Sequence, residues 1–388
     1  MRILHFYKTY YPDTWGGIEQ VIRQLCNGTS QLGAVNRILT LTAQRQGGEL
    51  VVDGQSVLRL PQDFEIASTG FALRAIPVLA RLAAQVDVVH YHFPWPFMDM
   101  AHFMARVKTP SVVTYHSDII RQKNLLRLYR PLRDRFLHSV DKIVATSPNY
   151  LASSEVLKSY PDKTEMITYG LDQASYPQAT PENLQAWRSR LAPRFFLFVG
   201  VLRYYKGLHI LLEALRGLDY PVVIAGGGPE EQALKQLAGT LGLKNLIFTG
   251  VVSEPDKAAL LQLSYAFVFP SHLRSEAFGI SLLEAAMAGK PMITCEIGTG
   301  ISYVNVDGET GLCVAPTPQA VRAALTRLWQ APGLASDMGQ RAVARYQAVF
   351  TAQHMAQKYM TLYSSLLGKQ RAFVPAGSAN LLKATEKN

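Results

Sequence analysis

The segment FFLFVGVLRYYKGLHILLEALRGLDYPVVIAGG, residues 195–227, carries the clearest signal for a fold class. It contains an apolar run (195–202), then apolar residues at helical spacing (208–215), and then a second apolar run (221–227). Two short apolar runs joined by a helix are typical of parallel strands with a crossover helix. We therefore predict one unit of an α/β fold in this segment.

Similar units extend in both directions along the chain. The other strand-like runs are RILHFY (2–7), RILTLTA (37–43), DVVHYH (87–92), SVVTYHS (111–117), KIVATSP (142–148), LIFTG (246–250), AFVFPS (266–271) and PMITCEI (291–297). A proline-containing segment near 172–185 separates two series of runs. We therefore predict two doubly wound, Rossmann-like domains, 1–174 and 175–350, that face each other across a cleft. Residues 351–388 should add a helix that packs back across the domains and a poorly ordered tail.

The composition is that of an ordinary globular protein. With 388 residues, of which 48% are hydrophobic, the chain is long enough for two cores. Its three cysteines, Cys26, Cys295 and Cys313, lack disulfide or zinc spacing, and its start does not resemble a signal peptide. No run reaches the ~20 apolar residues that a membrane span needs. We therefore expect a cytoplasmic protein.

The charge of the chain indicates an anionic partner. The formal net charge is +10, and residues 121–135 (RQKNLLRLYRPLRDR) contain six basic residues and one acid. Leu125, Leu128, Tyr129 and Leu132 recur among these charges at helical spacing, which suits a helix lying on an anionic membrane surface. We therefore expect peripheral association with the cytoplasmic face of the inner membrane. The alternative is a solvated helix whose leucines pack on their own domain; no nucleic-acid motif accompanies the charge, so no nucleic acid is expected.

Two acids in SEAFGISLLEAAMAGK (275–290) are the strongest functional signal. Glu276 and Glu284 would lie about 12 Å apart along the axis if most of this segment were helical. Glycosidase carboxylates lie roughly 5 to 9.5 Å apart, so this pair is better suited to hold opposite ends of one long ligand. Residues 277–280 would open the helix with free N–H groups, which attract phosphate. The ligand should be a nucleotide sugar.

Two other loops offer phosphate contacts. Gly16 and Gly17 begin a helix in KTYYPDTWGGIEQV (8–21), where the missing side chains let a phosphate approach backbone amides, although a tight turn alone would also explain them. Arg203 and Lys206 follow a strand and precede a helix. Two cations there can neutralise the charge that grows on a departing diphosphate.

Two strand ends should form the opposite wall of the cleft. His90 and His92 lie in HYHFPWPFMD, and His116 and Asp118 lie in VVTYHSD. Histidine can bind sugar hydroxyls or shuttle a proton near neutral pH. We therefore expect His116 in the site, and His90, His92 and Asp118 on the acceptor side, although a strand-end histidine is often structural.

These motifs together resemble the retaining glycosyltransferases of family 4, which have the two-domain GT-B fold. The resemblance covers nearly the whole chain and rests on Glu276-AFGISLL-Glu284 followed by AAMAGKP, the GG loop, His116, the R-x-x-K-G of residues 203–207 and YGLD (169–172). Phrases such as RYYKGLHILLEAL and FPSHLRSEAFGI are similar to bacterial mannosyltransferases of lipopolysaccharide O-polysaccharide assembly.

The resemblance implies a role for each matching residue. Arg203 and Lys206 would bind the diphosphate, Glu276 would contact the transferred sugar, and Glu284 would hold the ribose. His116 would belong to the catalytic group with Arg203, Lys206 and Glu276. The remaining donor contacts would come from Gly16, Gly17, Lys257 beside the guanine, Phe278, Gly279 and Ile280.

We therefore predict transfer of α-mannose from GDP-mannose, with retention, to an undecaprenyl-diphosphate-linked saccharide. The chain contains no D-x-D pair, so we expect no metal site and no cofactor. One alternative keeps the reaction and changes the donor to GDP-D-rhamnose or a UDP sugar. Others are a non-catalytic nucleotide-sugar-binding protein and a phosphorylase, for which no cofactor-lysine motif is present.

Overall fold

The computed structural model describes residues 1–66, 69–119 and 123–368, with the backbone alone for 123–125. Within these residues the first half of the chain contains strands β1 (Arg2–Phe6), β2 (Val35–Thr42), β3 (Gly48–Val52), β4 (Gln55–Pro61), β5 (Phe64–Ile66), β6 (Thr69–Phe71), β7 (Val88–Phe93), β8 (Ser111–Tyr115), β9 (Lys142–Ala145) and β10 (Thr164–Met166). Its helices are α1 (Gly17–Gln31), α2 (Ala75–Ala83), α3 (Pro96–Met104), α4 (Lys123–Ser139) and α5 (Pro148–Ser153).

Eight of these strands form one sheet in the order β10-β9-β8-β7-β1-β2-β4-β3. All neighbours are parallel except β3 and β4. Strands β7 and β8 are buried along their whole length because helices cover both faces, which explains their continuous apolar sequence. The β3–β4 hairpin was not predicted, although Asp53-Gly54, both with positive φ, is a strong hairpin signal.

The second half repeats the architecture. Its strands are β11 (Phe196–Val199), β12 (Val222–Ala225), β13 (Leu246–Gly250), β14 (Ala266–Phe269), β15 (Met292–Cys295) and β16 (Gly311–Val314). They form a parallel sheet in the order β13-β12-β11-β14-β15-β16. Its helices are α6 (Pro181–Arg188), α7 (Leu208–Leu215), α8 (Glu231–Thr240), α9 (Glu254–Leu263), α10 (Ile280–Met287), α11 (Ile301–Val304), α12 (Pro318–Gln330) and α13 (Pro332–Val349). The prediction of two Rossmann-like halves is confirmed, with β16 as an unpredicted strand.

The last described helix, α14 (Ala352–Leu366), returns to the first half. It packs so closely on α1 that a Cβ at Gly28 would lie 2.8 Å from the Cβ of Ala356. The polypeptide passes between the halves twice, once near Leu171 and once near Phe350. These two segments lie side by side, since the amide of Leu171 donates to Phe350 O at 2.9 Å. The domain boundaries at 174 and 350 stay predictions, and the tail from Lys369 lies outside the described residues.

Helix α4 carries the basic segment. It continues through Pro131 to Ser139, and Leu128 is 80% exposed beside the exposed side chains of Arg127 and Arg130. Tyr129 does not share this face, because its hydroxyl donates to the buried carboxylate of Asp99. Residues 121 and 122 of the predicted membrane segment, and the side chain of Leu125, lie outside the description. Among the described residues, no helix is long and apolar enough to cross a membrane.

Candidate active site

A cleft of about 720 Å³ separates the two halves, at the carboxyl ends of their strands. Arg203, Lys206, Glu276 and Glu284 all line it, as the spacing of the motifs predicts. The other predicted residues that line it are Gly16, Gly17, His116, Lys257, Phe278, Gly279 and Ile280. The tertiary fold thus brings the predicted donor-binding residues into one cavity, while their individual roles stay predictions.

Two helix N-termini face each other in this cleft. Helix α1 begins at Gly17 and α10 at Ile280, and a Cβ at Gly17 would lie 3.5 Å from Cγ1 of Ile280. Both ends present unpaired N–H groups and the positive end of a helix dipole, so the space between them favours an anion. Because α10 begins only at Ile280, Glu276 lies in the loop before it, and the helical 12 Å spacing expected for Glu276 and Glu284 does not apply.

Gly279 is required by the backbone at the start of α10. Its φ of 86° lies in the left-handed region, and a Cβ there would lie 3.0 Å from Cε1 of Phe269. Gly16 has an extended backbone, and a Cβ there would lie 2.3 Å from the Glu19 carboxylate, which would have to move aside. That carboxylate folds back over the helix start and accepts a hydrogen bond from Thr14 at 2.8 Å. The predicted approach of a phosphate to Gly16 and Gly279 stays a prediction.

Lys206 and Glu276 form an ion pair on the cleft wall. Lys206 Nζ lies 2.5 Å from Glu276 Oε2 and 4.5 Å above the ring of Phe269, and both charged side chains are only 11% exposed. Gly207 makes the turn possible, because its φ is 70° and a Cβ there would lie 2.0 Å from Pro270 O. Arg203, by contrast, is exposed at the cleft edge.

A second ion pair lies at Glu284. Its Oε1 accepts a hydrogen bond from Lys257 Nζ at 2.8 Å, and the same ammonium lies 2.8 Å from Glu254. Burial lowers the pKa of Lys257, but the carboxylates of Glu284 and Glu254 outweigh burial and raise this pKa above its ordinary value. Lys257 also lies 5.6 Å from the ring centroid of Tyr176, a residue of the segment that links the halves. Lys257, which is predicted to lie beside the guanine, is therefore ion-paired with Glu284 and Glu254 in this structure.

His116 lines the cleft, but both of its ring nitrogens are occupied within the protein. Nδ1 lies 2.5 Å from the hydroxyl of Tyr169 and Nε2 lies 3.0 Å from Nδ1 of His92. Burial lowers the pKa of His116 to about 3. The ring is therefore neutral at pH 7, which disfavours a proton shuttle, and the predicted role of His116 in the site stays a prediction.

His90 and His92 do not reach the acceptor side of the cleft. Both are completely buried, and His90 instead bonds Thr114 and Tyr363 at 2.7 Å each, which ties α14 to the first sheet. The expected acceptor contacts of these two histidines are therefore wrong, because β7 lies inside the sheet with both faces covered.

Asp118 joins the two halves instead of facing an acceptor. Its Oδ1 accepts hydrogen bonds from the hydroxyls of Tyr115 and Ser154 at 2.8 Å each, and its Oδ2 lies 3.4 Å from Arg274 Nη2 in the second half. Arg274 also donates to Ser153 at 2.9 Å. Asp118 is not among the cleft-lining residues, so the predicted acceptor contact is corrected to a bridge between halves.

His5, His90 and His92 form the described cluster whose ligand atoms could surround a metal ion, with those atoms within 4.8 Å of one another. The rings of His90 and His92 are stacked, with centroids 4.4 Å apart and 28° between planes. Every ring nitrogen of the three already has a hydrogen-bond partner. Stacked rings with occupied nitrogens favour a hydrogen-bond network over a metal centre.

Sequence reasoning missed several residues of this region. Tyr169 and Tyr176 line the cleft from the segment between the halves, and Arg274 bridges the halves just before Glu276. Tyr169 is the first residue of the YGLD motif, which contributes to the family resemblance as a whole. Isolated tyrosines and arginines carry no spacing signal, so the sequence gives no means of placing them.

Comparison with known proteins identifies the family. Residues 180–345 match the model "Glycosyl transferases group 1", and residues 16–170 match "Glycosyl transferase 4-like domain". The chain is 60% identical over 353 residues to the D-rhamnosyltransferase WbpZ of Pseudomonas aeruginosa, which covers 91% of this chain and 93% of the relative. The chain belongs to the family 4 glycosyltransferases. As a member of this family, the glycosyltransferase takes a nucleotide-sugar donor and a glycan acceptor.

A second relative and a solved structure agree with this assignment. The glycosyltransferase is 48% identical over 368 residues to the O-antigen chain mannosyltransferase C of Escherichia coli, covering 95% of this chain and 99% of the relative. The sucrose-phosphate synthase of Thermosynechococcus elongatus has the same fold, with a TM-score of 0.78, 18% identity and coverage of 95% and 99% of the two chains. The GT-B fold is thereby confirmed.

Proposed function

We propose that the glycosyltransferase transfers a D-rhamnose residue from GDP-D-rhamnose to a lipid-diphosphate-linked saccharide during O-antigen synthesis. The observation that carries the transfer reaction is the convergence of two helix N-termini, Arg203, Lys206, Glu276 and Glu284 on one cleft. The choice of D-rhamnose follows the relative with 60% identity, and the O-antigen context follows both relatives.

The geometry supports a division of the cleft along the donor. The diphosphate would lie between the starts of α1 and α10, within reach of Lys206 and Arg203. Glu276, before α10, would then contact the sugar, and Glu284, inside α10, would accept the ribose hydroxyls. As the sugar–phosphate bond breaks, negative charge grows on the diphosphate, and fixed cations and helix N-termini stabilise that charge more than the ground state.

Retention of configuration and independence of metal ions are parts of the proposal. The leaving phosphate would take the proton of the attacking acceptor hydroxyl on the same face of the sugar, because the carboxylate of Glu276 is held by Lys206. Arg203, Lys206 and the helix N-termini would supply the electrostatic stabilisation that a metal ion gives elsewhere. Full activity after treatment with EDTA would agree with this, and recovery only on adding Mg²⁺ or Mn²⁺ would contradict it.

D-Mannose from GDP-mannose is the second candidate donor. It is supported by the relative with 48% identity, which spans 95% of this chain. The two sugars differ only at C6, where D-rhamnose lacks a hydroxyl group, so a small change in the cleft would separate them. The same active-site geometry serves either donor.

A panel of nucleotide sugars tests both candidates. The purified protein would be incubated with a synthetic lipid-diphosphate saccharide and GDP-D-rhamnose, GDP-mannose or UDP-glucose, and the product analysed for mass and anomeric configuration. Transfer from GDP-D-rhamnose with an α-linked product is expected. Transfer from GDP-mannose alone would select the second candidate. Binding of GDP without any transfer would support a non-catalytic protein instead.

We also propose that α4 holds the enzyme on an anionic membrane. Exposed Arg127, Arg130 and Leu128 share one face, so cations and an apolar side chain would reach lipid together. Arg133 lies on the same helix but is only 11% exposed, whereas Arg130, which also lies 3.6 Å from Asp134, is 72% exposed. Replacing Arg127 and Arg130 by glutamine should reduce co-sedimentation with phosphatidylglycerol vesicles, whereas Arg133→Gln is the matched control. Equal binding of all variants would contradict this role of α4.

A further inference from the structure

A line of buried hydrogen bonds leads from Asn36 to the cleft. His5 Nε2 lies 3.2 Å from Asn36 Oδ1, and His5 Nδ1 lies 3.2 Å from His92 Nε2. His92 Nδ1 lies 3.0 Å from His116 Nε2, and His116 Nδ1 lies 2.5 Å from the hydroxyl of the cleft-lining Tyr169. Each of the five side chains is buried. His5 on β1, His92 on β7 and His116 just after β8 therefore belong to one continuous hydrogen-bond chain.

The direction of this chain is fixed at Asn36. Its Nδ2 lies 3.0 Å from the carbonyl oxygen of Cys26, which can only accept, so Oδ1 is the atom that faces His5. His5 must then donate through Nε2, and a neutral imidazole has only one N–H, so its Nδ1 accepts from His92. His92 therefore donates through Nε2 and accepts through Nδ1 from His116, which in turn donates through Nε2. All three rings are therefore Nε2–H tautomers.

The rings are neutral at pH 7. Burial lowers the pKa of His5 to about 4 and of His116 to about 3, and it lowers the pKa of His92 well below its ordinary value. The chain also ends on the amide oxygen of Asn36, which has too little basicity to take up a proton. The chain therefore cannot carry a proton away from the cleft, but it can fix the orientation and tautomer of its last member.

We propose that His5 and His92 are positioning residues that keep His116 as the Nε2–H tautomer. Nδ1 of His116, the nitrogen bonded to Tyr169, is then always an acceptor. The Tyr169 hydroxyl fills this position in the structure, and a saccharide hydroxyl takes its place when substrate enters. His116 thereby selects ligands that donate a hydrogen bond and disfavours those that present a carbonyl or carboxylate oxygen.

The tautomers can be measured without any activity assay. Long-range ¹H–¹⁵N correlation spectra of the full-length protein with ¹⁵N-labelled histidine, recorded at pH 7, distinguish Nε2–H from Nδ1–H rings. Substitution of each histidine in turn assigns the signals. The Nε2–H pattern is expected for His5, His92 and His116. An Nδ1–H pattern for His116 in the wild-type protein would overturn the proposal even if every variant failed to fold.

Two substitutions at His92 separate positioning from packing. In His92→Asn the amide oxygen can occupy the place of Nδ1 and still accept from His116, so the His116 tautomer should be kept. His92→Gln places its amide near Nε2 and leaves His116 Nε2–H without an acceptor. His116 should then populate both tautomers, and kcat/KM should fall about 10- to 100-fold, by analogy with the loss of the hydrogen-bond partner of a metal-bound histidine.

His90→Asn is the matched control. His90 is equally buried and stacks on His92, but its nitrogens bond Thr114 and Tyr363, which are not members of the hydrogen-bond line from Asn36 to Tyr169. This variant should lower the melting temperature and leave the His116 tautomer unchanged. Equal kinetics for His92→Asn and His92→Gln, or loss of the tautomer in His90→Asn, would contradict the positioning role.

The kinetic part of this inference rests on the proposed function, whereas the spectra do not. If no nucleotide sugar is turned over but the Nε2–H pattern is present, the proposed function fails and the hydrogen-bond chain stands. If transfer occurs but the pattern is absent, the positioning role fails and the proposed function stands.

Discussion

Lys206 Nζ and Glu276 Oε2 lie 2.5 Å apart on the wall of the cleft between the two halves. The ammonium predicted to bind the diphosphate is therefore held by the carboxylate predicted to contact the sugar. A diphosphate entering between the two helix starts would compete with Glu276 for Lys206. The ion pair thus holds both side chains in place, which reduces the conformational entropy that they lose when a donor binds.

Replacing Lys206 by methionine should remove a cation that we propose stabilises the departing diphosphate, with little change in side-chain volume. We expect kcat to fall about 10²- to 10³-fold, as when one preorganised donor is lost from a transition-state site. Initial rates at saturating donor measure the effect. Lys235→Met is the matched control, because Lys235 pairs with Glu231 on the surface, and a similar loss in that variant would contradict a specific role of Lys206.

Glu284→Gln should weaken donor binding more than it slows chemistry. The substitution replaces one accepting oxygen by an NH2 group that only donates and removes the charge. KM for the nucleotide sugar should therefore rise about tenfold with a smaller change in kcat, as for loss of uniform binding. The substitution also removes the carboxylate that raises the pKa of Lys257, so this pKa should fall. Glu254→Gln, which removes the more exposed partner of Lys257, should change KM less; the reverse order would contradict the assignment.

Gly279→Ala should distort the start of α10. Its positive φ alone costs roughly 1–2 kcal/mol with a side chain, and the new Cβ would also press on Phe269 Cε1 at 3.0 Å. We expect a larger loss in the free energy of unfolding than for Gly242→Ala, where φ is similar but nothing lies within 4 Å. Urea titration measures both variants. Equal losses would show that the contact with Phe269 has no effect.

Stability should fall on acidification before the carboxylates titrate. The folded pKa values of His5 and His116, about 4 and about 3, lie below the unfolded value of 6.5, so the unfolded state binds more protons below pH 6.5. Each histidine then contributes stability that is complete above pH 6.5 and is lost as pH falls towards its folded pKa. The expected slope is about 1.4 kcal/mol per pH unit for each group.

Urea unfolding at pH 7, 6 and 5 measures this slope. His5→Gln should be less stable than the wild-type protein at pH 7 but should lose less stability between pH 6 and pH 5. A wild-type stability that is constant from pH 7 to pH 5 would contradict the buried, neutral state of these rings.

Substitutions at Asp118 and at Arg274, the two ends of the bridge between the halves, should lower the free energy of unfolding by different amounts. Asp118 accepts from Tyr115 and Ser154 as well as from Arg274, whereas the ion pair itself is partly exposed. Arg274→Gln should therefore cost about 1 kcal/mol or less in the free energy of unfolding, and Asp118→Ala should cost more because two hydroxyls lose a buried acceptor. Chemical denaturation of both variants checks the order, and a larger cost for Arg274→Gln would contradict it.

Local patterns in the sequence were sufficient for the fold class and for placing in one cleft most of the residues that we predict to bind the donor. Strand-like runs such as 195–202 and 221–227 report burial on both faces, and glycines before helices report close approach, because both effects act over a few neighbouring residues. Since ligands in such folds bind at the carboxyl ends of strands, residues at these ends could be assigned to one cleft. Glu276, Glu284, Lys206 and Arg203 were found in this way.

The partners of these residues depend on strand order and register, which no local pattern reports. His5 on β1 lies opposite His90 on β7 because these strands are neighbours although more than 80 positions separate them. That pairing buries His90 and His92 and places His92 behind His116, which corrects their expected acceptor contacts. The pairing of Arg274 with Asp118 likewise requires the two halves to meet. Periodicity along one segment therefore determined the elements and the residues at their ends, whereas contacts between distant segments arose only when the sheets assembled and excluded water from the groups between them.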